Sequence, residues 1–388
     1  MEQSYGTIQI VGAGPGSPGL ITLRGAECLQ KADVVLYDRL AHPALLLHAP
    51  KHAKLIYCGK KPCDHSLRQE TIQQEMIIQA RHGKKVVRLK GGDPGIFGRM
   101  AEEIEELKKR GISYEMVPGI TAGSAAASYA GVSLTHRRYA HGFRVLTGHG
   151  QGPSEETEAD WENLAATSDT LVWYMGVKRL ECITSRLVEH GKDPDTDVLI
   201  VEWASHRRQR TISGPLHAIS ALAEEQGIQN PSVIFIGNAA GQHQDHQWFQ
   251  PSAAGGIFAF PQSDAEEAAF EQLKTAGMDI YIHPLVSEDL HDSENTWIIM
   301  NRLREEGFIR HAVFPSTKEG QLLYEGWLKN GHETTNPLTC WMTADQGKAG
   351  SFTSMLPLLS LDEPKEWPGC FLADEHKTSG TLERKATM

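Results

Sequence analysis

The chain has 388 residues, a formal net charge of −11, 40% hydrophobic residues and 22% charged residues. At roughly 100 to 200 residues per domain that length predicts two or three domains, and the composition excludes wholesale disorder. The acidic balance argues against a nucleic-acid partner, because phosphate backbones are met by basic fields.

The first residues, Met1-Glu2-Gln3-Ser4-Tyr5-Gly6, run straight into an apolar strand without a basic segment, a long apolar core or a small-residue cleavage site. No stretch reaches the roughly 18 apolar residues of a spanning helix, so no membrane partner is expected and the cytoplasm is the expected compartment. Apolar runs at 8–11, 34–37 and 85–89 alternate with helical periods at 20–30 and 69–81. That alternation predicts βαβ units and a mostly parallel sheet. The stretch 148–158 reads as a loop. Beyond it, strands are expected at 170–175, 198–203 and 232–237, and helices near 179–189 and 215–226. From 242 to 256 the composition turns to His, Gln, Gly, Ala and Ser, which predicts an exposed connector. His243 and His246 are expected there as solvated residues rather than metal ligands, and no metal site is expected. A third region opens with a strand at 257–260, a helix at 264–276 and a strand at 279–283; after about 348 the pattern weakens, and 375–388 is expected to be frayed. The six cysteines form no CxxC pair and predict neither a disulfide framework nor a zinc ribbon.

Three motifs carry chemistry. Gly12-Ala13-Gly14-Pro15-Gly16 follows the first strand and precedes a helix, where glycines let backbone and ligand approach closely. With Asp38 closing the next strand it suggests a dinucleotide fold. Against that, Ser17 replaces the third glycine and Pro15 removes an amide donor from the pyrophosphate position, so a tight turn without a ligand also fits. Arg88-Leu89-Lys90-Gly91-Gly92-Asp93-Pro94 ends a strand in exposed backbone, where α/β folds bind ligands and where Asp93 could accept from a ribose or an amino group. Pro118-Gly119-Ile120-Thr121-Ala122 leads a Pro-Gly turn into a helix of small residues that either packs closely or leaves room for a ligand.

Together, in this order and at these spacings, the motifs resemble those of uroporphyrinogen-III C-methyltransferases, members of the tetrapyrrole methylase superfamily. The resemblance runs over about 7–236 and includes Asp38-Arg39-Leu40, Gly59-Lys60, His65-Ser66-Leu67, Gly98-Arg99, Leu134-Thr135-His136-Arg137, Thr147-Gly148-His149, Tyr174-Met175-Gly176 and Gln209-Arg210. It implies an α/β tetrapyrrole methylase fold: one α/β domain over 1–135, a second over 136–245, and a cofactor cleft between them. A linker over 246–256 and a smaller α/β accessory region over 257–388 complete the expected organisation.

The resemblance also implies S-adenosylmethionine as methyl donor, S-adenosylhomocysteine as its product, and methylation of uroporphyrinogen III at C2 and C7 to precorrin-2 for sirohaem or cobalamin. By position, Pro15, Gly91, Gly92, Asp93, Ile96, Thr121, Ala122, Met175 and Ala204 are the implied cofactor contacts; Ala204 stands where relatives often have Gly. Asp38 and Lys60 are the implied proton acceptor and donor, and Arg99 the third catalytic residue. Arg39, Glu102 and Arg137 are implied near a substrate whose carboxylates guanidinium groups clamp well. A homodimer is implied as well. Asp38 is expected to stay ionised beside Arg39. The third region faintly resembles a shortened uroporphyrinogen-III synthase, with Thr296-Trp297-Ile298-Ile299-Met300 as one of its strands. The rivals are a later precorrin or cobalt-precorrin methyltransferase, a non-enzymatic tetrapyrrole-binding protein and a nicotinamide-dependent oxidoreductase, the last opposed by Pro15 and Ser17.

Overall fold

The computed structural model describes residues 5–59, 69–148, 160–251, 256–261, 264–275, 279–283, 294–314, 339–343 and 371–374. The chain forms two compact units, Met1–Pro251 and Ser252–Met388. The stretch expected as a loop after Gly148, and the C-terminal tail, lie outside the described residues.

The first unit begins with β1 (Ile8–Gly12), α1 (Leu23–Gln30), β2 (Val34–Tyr37), β3 (Lys54–Tyr57), α2 (Gln69–Arg81), β4 (Val86–Lys90), α3 (Met100–Lys109), β5 (Tyr114–Val117) and α4 (Ala122–Tyr129). Its strands form one all-parallel sheet in the order β3-β2-β4-β1-β5. β2 and β4 are buried along their whole length, which is why they read as continuous apolar runs rather than as alternation. Ile8, Ile10, Val34, Leu36 and Val86 pack with Ile72, Met76, Ile77 and Ala80 of α2 and Leu107 of α3. Each such large side chain contributes roughly 1.5–3 kcal/mol relative to exposure. α1 starts where Thr22 accepts a hydrogen bond from the Gly25 amide at 3.1 Å. Because the strands are parallel, the loops after β1, β2, β4 and β5 all leave from one edge of the sheet, the edge at which such folds bind ligands.

The same unit continues with β6 (Phe143–Thr147), α5 (Trp161–Ala166), β7 (Thr170–Tyr174), α6 (Leu180–Glu189), β8 (Asp197–Glu202), β9 (Arg210–Pro215), α7 (Ile219–Glu225), β10 (Ser232–Ile236) and the short α8 (His243–His246). The sheet order is β6-β7-β10-β8-β9, and only β6 and β7 run parallel. The expectation of parallel strands therefore holds for the first sheet and not for this one. β8 passes to β9 through a loop with no helix in it, and antiparallel neighbours need only such a short link. Trp173, Leu187, Ile200, Leu216, Ile219 and Ile234 fill the core on one side of this sheet.

The connector also departs from expectation. His243 is buried at the start of α8 and its Nδ1 meets the Ala130 carbonyl, so it ties the segment down; His246 is exposed.

In the second unit, β11 (Gly256–Ala259), α9 (Asp264–Thr275), β12 (Ile280–Ile282), α10 (Glu294–Glu305), β13 (Ile309–Phe314), β14 (Thr339–Thr343) and β15 (Phe371–Asp374) build a sheet ordered β12-β11-β13-β14-β15, parallel except for the last pair. The segment expected as a strand, 296–300, is instead the middle of helix α10. Thr296, Ile299, Met300 and Leu303 are buried, which is helical spacing. A short apolar run does not by itself separate a buried strand from a buried helix face.

Candidate functional site

Three loops at the edge of the first sheet are fastened to one another. Gly14 and Gly92 exchange backbone hydrogen bonds, Gly92 N to Gly14 O at 2.7 Å and Gly14 N to Gly92 O at 3.2 Å. Gly92 has φ +69°, a conformation costly for any residue with a Cβ. Gly119 approaches so closely that a Cβ there would sit 2.3 Å from the Gly92 oxygen. Asp93 completes the joint: Oδ1 accepts from Gly95 N at 2.8 Å and Oδ2 from Gly119 N at 3.0 Å. Asp93 thus locks the loop after β4 to the loop after β5, and leaves its remaining lone pairs and the nearby peptide groups of Gly91, Thr121 and Ala122 at the edge.

Asp38, at the end of β2, has a half-buried carboxylate held on both sides. Its Oδ1 accepts from Leu40 N at 3.0 Å and Ala41 N at 3.1 Å, while Oδ2 lies 3.8 Å from Arg88 Nη2. The cation that faces it is therefore Arg88 rather than the expected Arg39, because β2 and β4 are neighbours and Arg88 projects from the adjacent strand. Arg88 and Lys90 alternate on one face of β4 and both meet Glu103 of α3: Lys90 Nζ at 2.9 Å and Arg88 Nε at 3.6 Å from Oε1. All three are buried. Burial, then the Arg88 charge, pulls the Lys90 ammonium below the usual lysine range, opposed by Glu103.

The second sheet contributes two loops. Tyr174 ends β7, and its hydroxyl lies 2.6 Å from Thr121 Oγ1 and accepts from Gly123 N at 2.5 Å. Met175 follows with φ +54°. In the loop after β8, Ala204 is buried, and Ser205 Oγ accepts from Ser17 N at 3.0 Å. Gly16 lies against the His206 ring and the Ala204 carbonyl with no room for a side chain. The loop that carries Pro15 is thereby brought against the loop that carries Ala204. Among the described residues, every non-glycine with positive φ, namely Phe97, Arg99, Met175, Trp203 and Ser205, lies in one of these loops. Strain of that kind persists where the surroundings over-determine the backbone and clusters at ligand sites.

The rim is polar and exposed. Arg99, at the N-cap of α3, forms a bidentate pair with Glu102, Nε to Oε1 at 2.9 Å and Nη2 to Oε2 at 2.5 Å. That hydrogen bonding lowers the Glu102 carboxyl and raises the Arg99 guanidinium relative to their ordinary values. Arg39 and Arg137 are exposed, the latter in a turn closed by His136 and Ala140, and neither is brought to another candidate side chain. Ile96 and Phe97 expose apolar surface beside Asp93. Lys60 lies outside the described residues. Sequence reasoning named Arg88 and Tyr174 within motifs without giving either a role, and left out Glu103, Ser205 and His206. Arg88 also had a local signal, a charge two residues from Lys90 inside an otherwise apolar strand. The ensemble has peptide groups, an apolar rim, a braced carboxylate and a guanidinium–carboxylate pair at the end of α3, which suits transfer between two bound small molecules.

The family described as "Tetrapyrrole (Corrin/Porphyrin) Methylases" matches residues 7–220. A uroporphyrinogen-III C-methyltransferase of Bacillus subtilis (strain 168) is 42% identical over 82% of the chain, which spans 65% of that protein's length. The corresponding protein of Priestia megaterium is 48% identical over 60% of the chain and 97% of its own length. Among solved structures, the uroporphyrin-III C-methyl transferase of Thermus thermophilus complexed with S-adenyl homocysteine superposes with TM-score 0.51 at 39% identity, covering 61% of this chain and 99% of its own.

Proposed function

The chain belongs to the tetrapyrrole methylases, and from that membership we propose that its first unit is an S-adenosylmethionine-dependent C-methyltransferase acting on uroporphyrinogen III. The reaction adds methyl groups at C2 and C7, giving precorrin-1 and then precorrin-2, the precursor of sirohaem and cobalamin. The observation that carries this reading is the convergence of the family-matching loops on one edge, joined through the Gly14–Gly92 bridge, Asp93–Gly119 and Tyr174–Thr121.

The residues present fit the methyl donor. Gly92 leaves open the space in front of the Ala122 amide that a Cβ would enter, and Ile96 offers an exposed apolar surface three residues from Asp93. Pro15, Gly91, Gly92, Asp93, Ile96, Thr121, Ala122, Met175 and Ala204 would hold it. The donor supplies an electrophilic methyl group, so what the protein must provide is in-line placement of a pyrrole carbon rather than a strong base. Arg39, Arg99 and Arg137 engage the substrate's carboxylates, with Glu102 setting the Arg99 fork. Asp38 takes up the proton released as the macrocycle rearranges; both backbone amides that hold it converge on Oδ1, which leaves Oδ2 as the accepting oxygen. Lys60 serves as proton donor. We assign the protein to the cytoplasm, in keeping with the absence, among the described residues, of a helix long and apolar enough to cross a membrane. We further assign it a homodimeric state and a division into methylase domains 1–135 and 136–245, linker 246–256 and accessory α/β region 257–388.

The test is anaerobic incubation with S-adenosylmethionine and uroporphyrinogen III, followed by mass spectrometry. Gain of two methyl groups, abolished by Asp38→Ala and strongly reduced by Arg99→Ala, is expected. Retained binding of S-adenosylhomocysteine without methylation of this substrate would move the assignment to a later precorrin methyltransferase or a binding protein.

A further inference from the structure

Helix α4 is capped from outside its own chain segment. Its N-cap Thr121 is extended, at φ −70° and ψ 146°, yet makes no side-chain hydrogen bond to the helix, unlike Thr22 at α1. The Thr121 hydroxyl is turned instead to Tyr174, and the Tyr174 oxygen accepts the Gly123 N–H that an ordinary cap would take. Gly123 makes this possible, because a Cβ there would lie 2.7 Å from the phenol oxygen. Burial pushes the Tyr174 phenol above its usual range, against the Thr121 and Gly123 hydrogen bonds, so the hydroxyl stays protonated; it accepts from Gly123 N and shares a hydrogen bond with the Thr121 hydroxyl in which either oxygen can donate. The other side of the ring meets Phe97 edge-on, centroids 5.4 Å apart, and Phe97 is exposed at the rim next to Ile96.

We propose that Tyr174 is a positioning residue for the methyl donor: its hydroxyl, carried by the second sheet, fixes the first turn of α4 and with it the Thr121 and Ala122 peptide groups. The inference rests on the reading of Thr121 and Ala122 as donor contacts. Without the hydroxyl, the buried Gly123 N–H loses its partner and Thr121 is released, while the ring, Phe97 and the core are untouched. Donor binding then weakens, but chemistry on the bound donor continues.

The experiment is a thermodynamic cycle on the full chain with Tyr174→Phe, Thr121→Val and the double variant, read by calorimetric titration of S-adenosylhomocysteine and by steady-state methylation. Tyr174→Phe should weaken S-adenosylhomocysteine about tenfold, the scale of one buried donor left unpaired. The KM for S-adenosylmethionine should rise in parallel while kcat stays within about twofold. The double variant should lose less than the two single losses combined, because both remove one shared interaction. Unchanged affinity in Tyr174→Phe overturns the proposal, and so does a fall in kcat and thermal stability without a specific loss of affinity. Ile96→Trp, at the exposed rim, separates the two readings. If it binds S-adenosylhomocysteine like the parent chain, the donor site itself is misplaced; if it loses binding while Tyr174→Phe does not, only the positioning role fails.

Discussion

Asp38 shows how a side chain can be held rigidly and still have an oxygen to offer. Both backbone amides that fix it converge on Oδ1. In Asp38→Asn an amide oxygen can take over those two bonds, so the loop should survive while the proton acceptor is lost. We expect methyl transfer to fall at least about 100-fold, the lower range for a general base, with the circular dichroism spectrum and S-adenosylhomocysteine affinity unchanged; activity near that of the parent chain would rule out Asp38 as the base. Glu103 poses the opposite problem. It sits against two buried cations, and its removal takes the carboxylate away from Lys90 and leaves Arg88 facing Asp38. Glu103→Ala should therefore destabilise the first unit by about 3–5 kcal/mol, the usual consequence of breaking a buried ion pair from one side. Urea unfolding measures this, and a loss below about 1 kcal/mol would show the cluster to be hydrated rather than closed.

At the scale of elements, α10 is where local pattern and tertiary context part. As a strand, 296–300 would alternate its faces; as a helix it buries Ile299 and Leu303 on one side and leaves Ile298 only half buried. Leu303→Ala should cost about 2–5 kcal/mol of the second unit's stability, and Ile298→Ala clearly less, in thermal unfolding followed by calorimetry. Equal losses would favour the strand. The contrast explains what could be read from sequence. β2 and β4 were legible because both faces are covered and the runs are continuous, and the glycine-rich loops because glycine is favoured at Gly92's φ and a side chain has no room where Gly119 approaches Gly92. The antiparallel pairings of the second sheet, the anchoring of His243 on Ala130 and the Asp38–Arg88 contact were not legible, because each depends on a partner distant in sequence that leaves no local periodicity.

At the scale of the whole first unit, a pair of histidines joins its two sheets. His42, after β2, stacks on His206, after β8, with ring centroids 5.6 Å apart. His42 Nδ1 accepts the Ala44 N–H at 3.2 Å, which requires an unprotonated nitrogen. Burial first, then the neighbouring His206 and Arg208, which oppose a second positive charge there, hold His42 well below the usual histidine range, and burial with Arg208 pulls His206 down to about 3. Both rings are thus neutral in the folded protein, while in the unfolded chain they take up protons near the ordinary value of 6.5. The unfolded state then binds more protons between those limits, and stability falls as pH drops. The contribution is complete above pH 6.5 and falls as the pH drops below it; for His206 it is lost progressively towards pH 3, by about 1.4 kcal/mol per pH unit, and His42 adds in the same direction. Thermal unfolding from pH 7.5 to 4.5 should therefore show a slope that His206→Gln makes shallower, even if the variant is less stable at neutral pH. Carboxylates elsewhere titrate identically in both proteins, so the difference between slopes isolates the pair; equal slopes would mean the rings are protonated in the fold. Because His206 packs on Gly16, beside Pro15, and lies two residues from Ala204, loosening this contact also parts two proposed donor loops. S-adenosylhomocysteine affinity should weaken over the same acid range before global unfolding, and His206→Gln should remove that part of the pH dependence.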